Sequence, residues 1–137
     1  MSDIVLGFDY GKKYIGLATG QAVTKTARPL TTVLNIAGKP DWKKITELVD
    51  DWQPKALVVG VPLNMDGTQQ WITKHAKSFA NSLKKKFSLP VHEVDERLST
   101  VEARQALFDQ GGYRALSKEA VDAMAAKYIL ELWLGGL

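Results

Sequence analysis

Residues Ile4 to Gly20 constrain this chain more than any other stretch, because two apolar runs are joined there by only a few residues. Ile4-Val5-Leu6-Gly7-Phe8 is continuously apolar instead of alternating, the pattern of a strand covered on both faces of a sheet. Asp9 then stands where that central strand emerges. Gly11 and Lys12-Lys13 form a tight turn, and Tyr14 to Gly20 reads as a second strand pairing back antiparallel. A carboxylate at the end of a buried strand needs an explanation, and the rest of the chain has to supply it.

Past the hairpin, Thr24 to Asn35 carries the β-branched residues Thr31, Thr32 and Val33 and completes a three-strand meander, with Pro29 placing it near an edge or a bulge. Ala37-Gly38-Lys39-Pro40 breaks the run. Asp41 is an N-cap for a helix whose apolar positions Trp42, Ile45, Leu48, Val49 and Trp52 follow helical spacing up to Pro54. Ala56 to Val61 is a second fully apolar strand; its separation from the meander by a helix predicts a parallel crossover beside the first strand. A loop at Pro62 to Thr68 leads to a helix over Trp71 to Phe87, with Ile72, Ala76, Phe79, Ala80, Leu83 and Phe87 as its buried stripe. Pro90 precedes a short strand, Val91 to Glu96. Ser99 and Glu102 have capping-box spacing for a helix starting at Thr100 and stopping before Gly111-Gly112, and a last helix runs from about Lys118 to Leu134. The order β-β-β-α-β-α-β-α-α predicts an α/β fold, a mixed sheet with helices on both faces. The 137 residues fit one domain spanning 1–137.

Composition removes several classes of function. There is no cysteine, so disulfides, thiolate metal sites and cysteine nucleophiles are excluded. No apolar run reaches the roughly 18 residues of a membrane span, and the start, Met1-Ser2-Asp3, carries an acid where a signal peptide carries bases. A cytoplasmic protein is the expectation. The net charge of +3 is a mild hint of a polyanionic partner, and its distribution says more. No Asp or Glu occurs from Tyr10 to Pro40, where Lys12, Lys13, Lys25, Arg28 and Lys39 fall; none occurs from Gly67 to His92, which holds Lys74, Lys77, Lys84, Lys85 and Lys86. Two purely basic segments beside strand-end carboxylates point to nucleic acid.

Three acids are hard to place on the surface. Asp9 ends the central strand, Asp95-Glu96 ends the last strand at the same predicted sheet edge, and Asp122 shares a stripe with Ala126, Ile129 and Trp133 on the final helix. Taken singly, each has an ordinary structural reading: an Asx turn, an ion pair with Arg97, and a first-turn acid favoured by the helix dipole. Their joint placement at one edge weighs against those readings. Like-charged carboxylates gathered together raise each other's pKa unless a cation lies between them. Hard oxygen ligands without His or Cys indicate Mg²⁺ or Mn²⁺. Such ions, in pairs roughly 3.5–4 Å apart, stabilise the attacking and leaving oxygens of phosphodiester hydrolysis. Gly7 to Lys13 lacks the spacing and the Ser/Thr of a phosphate-binding P-loop, and His75 and His92 lack metal-ligand spacing.

Four segments then resemble one family in both spacing and order. They are Gly7-Phe8-Asp9-Tyr10-Gly11 with Ile15-Gly16, Val59-Gly60-Val61-Pro62-Leu63-Asn64-Met65-Asp66-Gly67, Asp95-Glu96-Arg97-Leu98-Ser99-Thr100, and Val121-Asp122-Ala123 with Ala125-Ala126. Together they resemble the YqgF family, also called RuvX, over essentially the whole chain. The resemblance implies an RNase H-like fold with a five-stranded sheet of order 3-2-1-4-5. It also implies a metal-dependent nuclease similar to RuvC-type Holliday junction resolvases, acting in 5′-end processing of pre-16S ribosomal RNA in the bacterial cytoplasm. By that resemblance Asp9, Glu96 and Asp122 are the catalytic, Mg²⁺- or Mn²⁺-binding triad. RuvC-like enzymes place a fourth carboxylate near the last one, whereas Ala125 and Ala126 flank Asp122 on its face here, and Asp95 is a weak substitute only if the strand end is twisted.

Lys12, Lys13, Arg97, Arg104 and Arg114 are the candidate phosphate contacts, and Tyr113 the candidate stacking residue for an unpaired base. The expected partners are structured RNA, ribosomal precursor particles or branched DNA. Two rival readings stand beside the RNA nuclease: a resolvase acting on four-way DNA junctions, and a non-cleaving RNA-binding module with the nuclease fold.

Overall fold

The structure, a computed structural model, describes residues 3–61, 71–95, 109 and 118–136. Strands β1 (Ile4–Tyr10), β2 (Tyr14–Gln21) and β3 (Thr26–Ile36) form the antiparallel meander; β4 (Lys39–Pro40), helix α1 (Trp42–Trp52), β5 (Ala56–Val61), helix α2 (Trp71–Phe87), β6 (Val91–Asp95) and helix α3 (Lys118–Gly135) follow. The sheet order is β4-β3-β2-β1-β5-β6. β5 pairs parallel with β1, and β6 pairs parallel with β5. Five of these strands reproduce the expected 3-2-1-4-5 order.

The sixth strand corrects the expectation. Ala37 and Gly38 both adopt positive φ, 52° and 75°, which turns the chain tightly enough for Lys39-Pro40 to pair back on Asn35-Ile36. What composition suggests is a break is therefore a two-residue hairpin. Pro29 does lie at a bulge: the β2–β3 register shifts between Leu17 and Ala18, with Thr31 opposite the first and Pro29 opposite the second. The expected helix beginning at Thr100 lies outside the described residues apart from Asp109, which is helical.

Side-chain alternation divides the strands between two cores. Leu6, Phe8 and Tyr10 of β1, Ile15 and Leu17 of β2 and Leu57 and Val59 of β5 face α1 and α2. Phe79 of α2 centres that side, with ring centroids 5.6 Å from Phe8, 5.3 Å from Tyr10 and 5.4 Å from Trp42. Val5, Ala18, Ala56 and Val58 face the other way, against Ala126, Ile129, Leu130 and Leu134 of α3. Asp41 caps α1 as its sequence predicts, accepting a hydrogen bond from the Lys44 amide at 3.2 Å, and Gln53 ends the helix in a left-handed conformation before Pro54.

Helix α3 differs from a helix with one apolar stripe. Every residue from Val121 to Ala126 is buried, and Val121, Met124 and Ala125 form a cluster of their own with Ala120 and Tyr128 of the same helix. A helical stretch buried all round has no face on which to expose Asp122.

Candidate active site

Asp9 is on the α3 side of β1. It alternates with Val5 and Gly7, and its cross-strand partner is Gly16 on β2. Gly16 meets α3 directly: a Cβ built there would lie 2.1 Å from the Asp122 carbonyl oxygen and 2.4 Å from its carbonyl carbon. Only a residue without a side chain admits the helix so close. Farther along the helix, Gly7 plays the same part, since its Cβ would fall 3.1 Å from Leu130 Cβ and 3.2 Å from the Ala126 carbonyl oxygen. These contacts fix both the height and the axial position of α3. Asp122 is thus held over the Asp9–Gly16 pair, at the edge where β1, β5 and β6 end.

Both carboxylates are buried, Asp9 with 8% and Asp122 with 4% of its surface exposed. Taking a carboxylate out of water is costly unless something compensates its charge. The donor set suits a hard divalent cation: carboxylate oxygens, and no thiolate in the chain. His75 is exposed on α2, and His92 stacks on Trp133 with ring centroids 4.9 Å apart. Among the described residues no group of three His, Cys, Asp or Glu side chains comes together. Glu96, the third expected member, lies outside the described residues, as do Arg97, Arg104, Tyr113 and Arg114.

Asp95 occupies the opposite face. It pairs with Val61, which alternates with Leu57 and Val59 toward α2, whereas Asp9 pairs with Gly60 on the α3 side. A carboxylate on the far side of the sheet cannot take the place of a fourth ligand beside Asp122. The positions flanking Asp122 on its helix, Ala125 and Ala126, are fully buried.

Lys12 and Lys13 are exposed on the turn that follows Asp9 and Tyr10. Asn35 of β3 anchors that turn. Its backbone amide donates to the Lys13 carbonyl at 2.8 Å, and its side-chain Nδ2 donates to the Gly11 carbonyl at 2.8 Å. With 2% of its surface exposed, Asn35 is a buried polar residue that sequence reading passes over as one more strand position. Its signal was available, since Asn is depleted in strands and needs a reason to be there. The same holds for Gly16, a glycine inside a strand.

The model of the family described as RuvX, Holliday junction resolvase, matches residues 3–136. The chain belongs to the RuvX family. Its members are nucleases, hydrolases of phosphodiester bonds, and RNase H-like nucleases generally use a divalent metal. A RuvX relative from Klebsiella pneumoniae, named "Putative pre-16S rRNA nuclease", is 54% identical over 131 residues, covering 96% of this chain and 95% of its own. A Proteus mirabilis protein of the same name is 56% identical over 129 residues, covering 94% and 93%. Among solved structures, Thermus thermophilus RuvC in complex with a Holliday junction substrate aligns with a TM-score of 0.57 at 17% identity, covering 97% of this chain and 94% of that one. The fowlpox virus Holliday junction resolvase aligns at 0.55 with 14% identity, covering 98% and 99%. At those identities the structural likeness establishes the RNase H-like fold, and the RuvX relatives carry the closer kinship.

Proposed function

We propose that this RuvX chain, a single nuclease domain over residues 1–137, is a Mg²⁺-dependent nuclease that trims the 5′ end of pre-16S ribosomal RNA in the cytoplasm. The observation that carries the reading is the pair of buried carboxylates, Asp9 and Asp122, brought to one sheet edge by the glycine contact between β2 and α3. The names of relatives more than half identical along almost the whole chain supply the RNA substrate. Ribosomal precursor particles are the natural partner for such an activity.

In this reading Asp9, Asp122 and Glu96 hold the metal. A Mg²⁺ ion bound there would supply Lewis-acid chemistry for phosphodiester hydrolysis. Asp9 is set by a strand buried along most of its length and Asp122 by a helical stretch, Val121 to Ala126, in which every residue is buried, so both carboxylates are presented on rigid elements. Lys12 and Lys13, beside them on the anchored turn, neutralise and orient backbone phosphates of the strand, together with Arg97, Arg104 and Arg114. Tyr113 stacks on a base. Because phosphate contacts dominate such binding, affinity falls with added salt.

The second reading, cleavage of four-way DNA junctions, rests on the description of the RuvX family model. One experiment separates the two. The purified protein is given a transcript carrying the 5′ leader of 16S rRNA and, separately, an immobile four-way DNA junction, each with Mg²⁺ and with excess EDTA. The expected result is shortening of the transcript with Mg²⁺ and no cleavage in EDTA, the junction remaining intact. Cleavage of the junction alone would transfer the assignment to DNA, and cleavage unaffected by EDTA would remove the metal from the mechanism.

A further inference from the structure

A cleft of about 590 Å³ opens at the end of β1, next to Tyr10 and between the Lys12-Lys13 turn and the Ala37-Gly38 turn, with Ile72 and His75 of α2, the helix on the face of the sheet opposite Asp9, in its wall. Its volume is in the range of small-ligand sites. Tyr14 and Leu34 line it and lie directly opposite each other across β2 and β3. Tyr14 is two residues before Gly16, so it is on the same sheet face as Asp9 and about 7 Å farther along the strand. Ile36, two residues beyond Leu34, extends this surface; Leu34 is 47% exposed and Ile36 66%. Lys12 and Lys13 are among its lining residues, and among the described residues no acidic one lines the cleft.

We infer that this cleft receives an unpaired base of the substrate strand, stacked against Tyr14 and packed on Leu34 and Ile36, while Lys12 and Lys13 hold the adjoining phosphates. The inference rests on the nuclease reading above and adds to it a preference for single-stranded substrate next to the cut. Charge complementarity selects the class of occupant: two lysines, with no acid among the described lining residues, favour a polyanion. The apolar floor selects the part of it that enters. A phosphate gains nothing from Leu34 and Ile36, whereas the π-face of a base gains from stacking on an aromatic ring and from covering aliphatic surface. Base pairs of a duplex keep their faces stacked on one another, so an A-form helix could engage the lysines without filling the cleft.

Binding measured in EDTA tests this without reference to cleavage. Fluorescence anisotropy would follow three labelled probes: a short single-stranded RNA, a blunt duplex of the same sequence, and an abasic RNA backbone of the same length. For the wild-type protein the abasic strand should bind about ten-fold more weakly than the base-bearing strand. Tyr14→Ala should lose about the same factor on the single strand, change little on the duplex, and no longer distinguish the abasic strand. The double variant Leu34→Ser/Ile36→Ser, at exposed positions where folding is not at risk, should act in the same direction. Equal losses on single strand and duplex, or wild-type affinity for the abasic strand matching that for RNA, would overturn the inference. So would a change in oligomeric state of the double variant with RNA affinity unchanged, which would make the surface a protein interface. Failure of the wild-type protein to bind any probe would take the nucleic-acid reading down with it.

Discussion

Asp9→Asn is expected to abolish metal-dependent cleavage while leaving the protein folded and able to bind RNA. The substitution keeps the shape of the side chain and removes its charge, so the packing of β1 between its two cores has no cause to change. What changes is the capacity to hold a divalent cation opposite Asp122. Removing a single preorganised electrostatic group commonly costs a factor of about 10² to 10³ in turnover, and loss of a metal ligand should reach at least that. A thermal measurement separates this from misfolding. Millimolar Mg²⁺ or Mn²⁺ should raise the melting temperature of the wild-type protein by ligand linkage, and the rise should disappear in Asp9→Asn although its circular dichroism matches the wild type. Unchanged cleavage by purified Asp9→Asn protein would eliminate Asp9 as a ligand.

Gly16→Ala should be more damaging than its single methyl group suggests. Its Cβ would be 2.1 Å from the Asp122 carbonyl oxygen, so the helix backbone must retreat by more than an ångström to recover ordinary contact. Overpacking of this kind costs about 1–3 kcal/mol and more where the neighbour is backbone and cannot rotate away. For a domain of this size that corresponds to a fall in melting temperature on the order of 10 °C. The same retreat carries Asp122 away from Asp9, and a displacement of about 1 Å at a reacting centre can cost a factor of about 10². Stability and cleavage should therefore fall together. Gly135→Ala, where nothing lies within 4 Å of the added Cβ, is the control and should be near neutral in both.

The parts of the fold that could be read from sequence are those where one local signal sufficed. Unbroken apolar runs gave β1 and β5, helical periodicity with Asp41 and Pro54 gave α1, and the bulge at Pro29 follows from the missing amide. β4 escaped because two residues, one of them proline, carry no strand signal; only the left-handed pair Ala37-Gly38 makes them a hairpin. At the site, Asp9 and Asp122 stood out as charges in apolar surroundings. The device that unites them did not, because the close approach of α3 needs both the alanines of the helix and the glycine of the facing strand. Sequence shows the first set and gives no register with which to match it to Gly16. Asn35 escaped for a related reason: its partners, Gly11 and Lys13, are more than twenty residues away. The face occupied by Asp95 could be settled only by the pairing of β5 with β6, which places it opposite Val61.

A divalent cation shared by Asp9, Asp122 and Glu96 is the core of the proposed mechanism. It is tested most directly by crystals of the protein soaked in Mn²⁺ and measured for anomalous scattering. A peak is expected at the edge where β1 ends, within coordinating distance of the carboxylates of Asp9, Asp122 and Glu96. Full Mn²⁺ occupancy at another location, with no peak between Asp9 and Asp122, would contradict it.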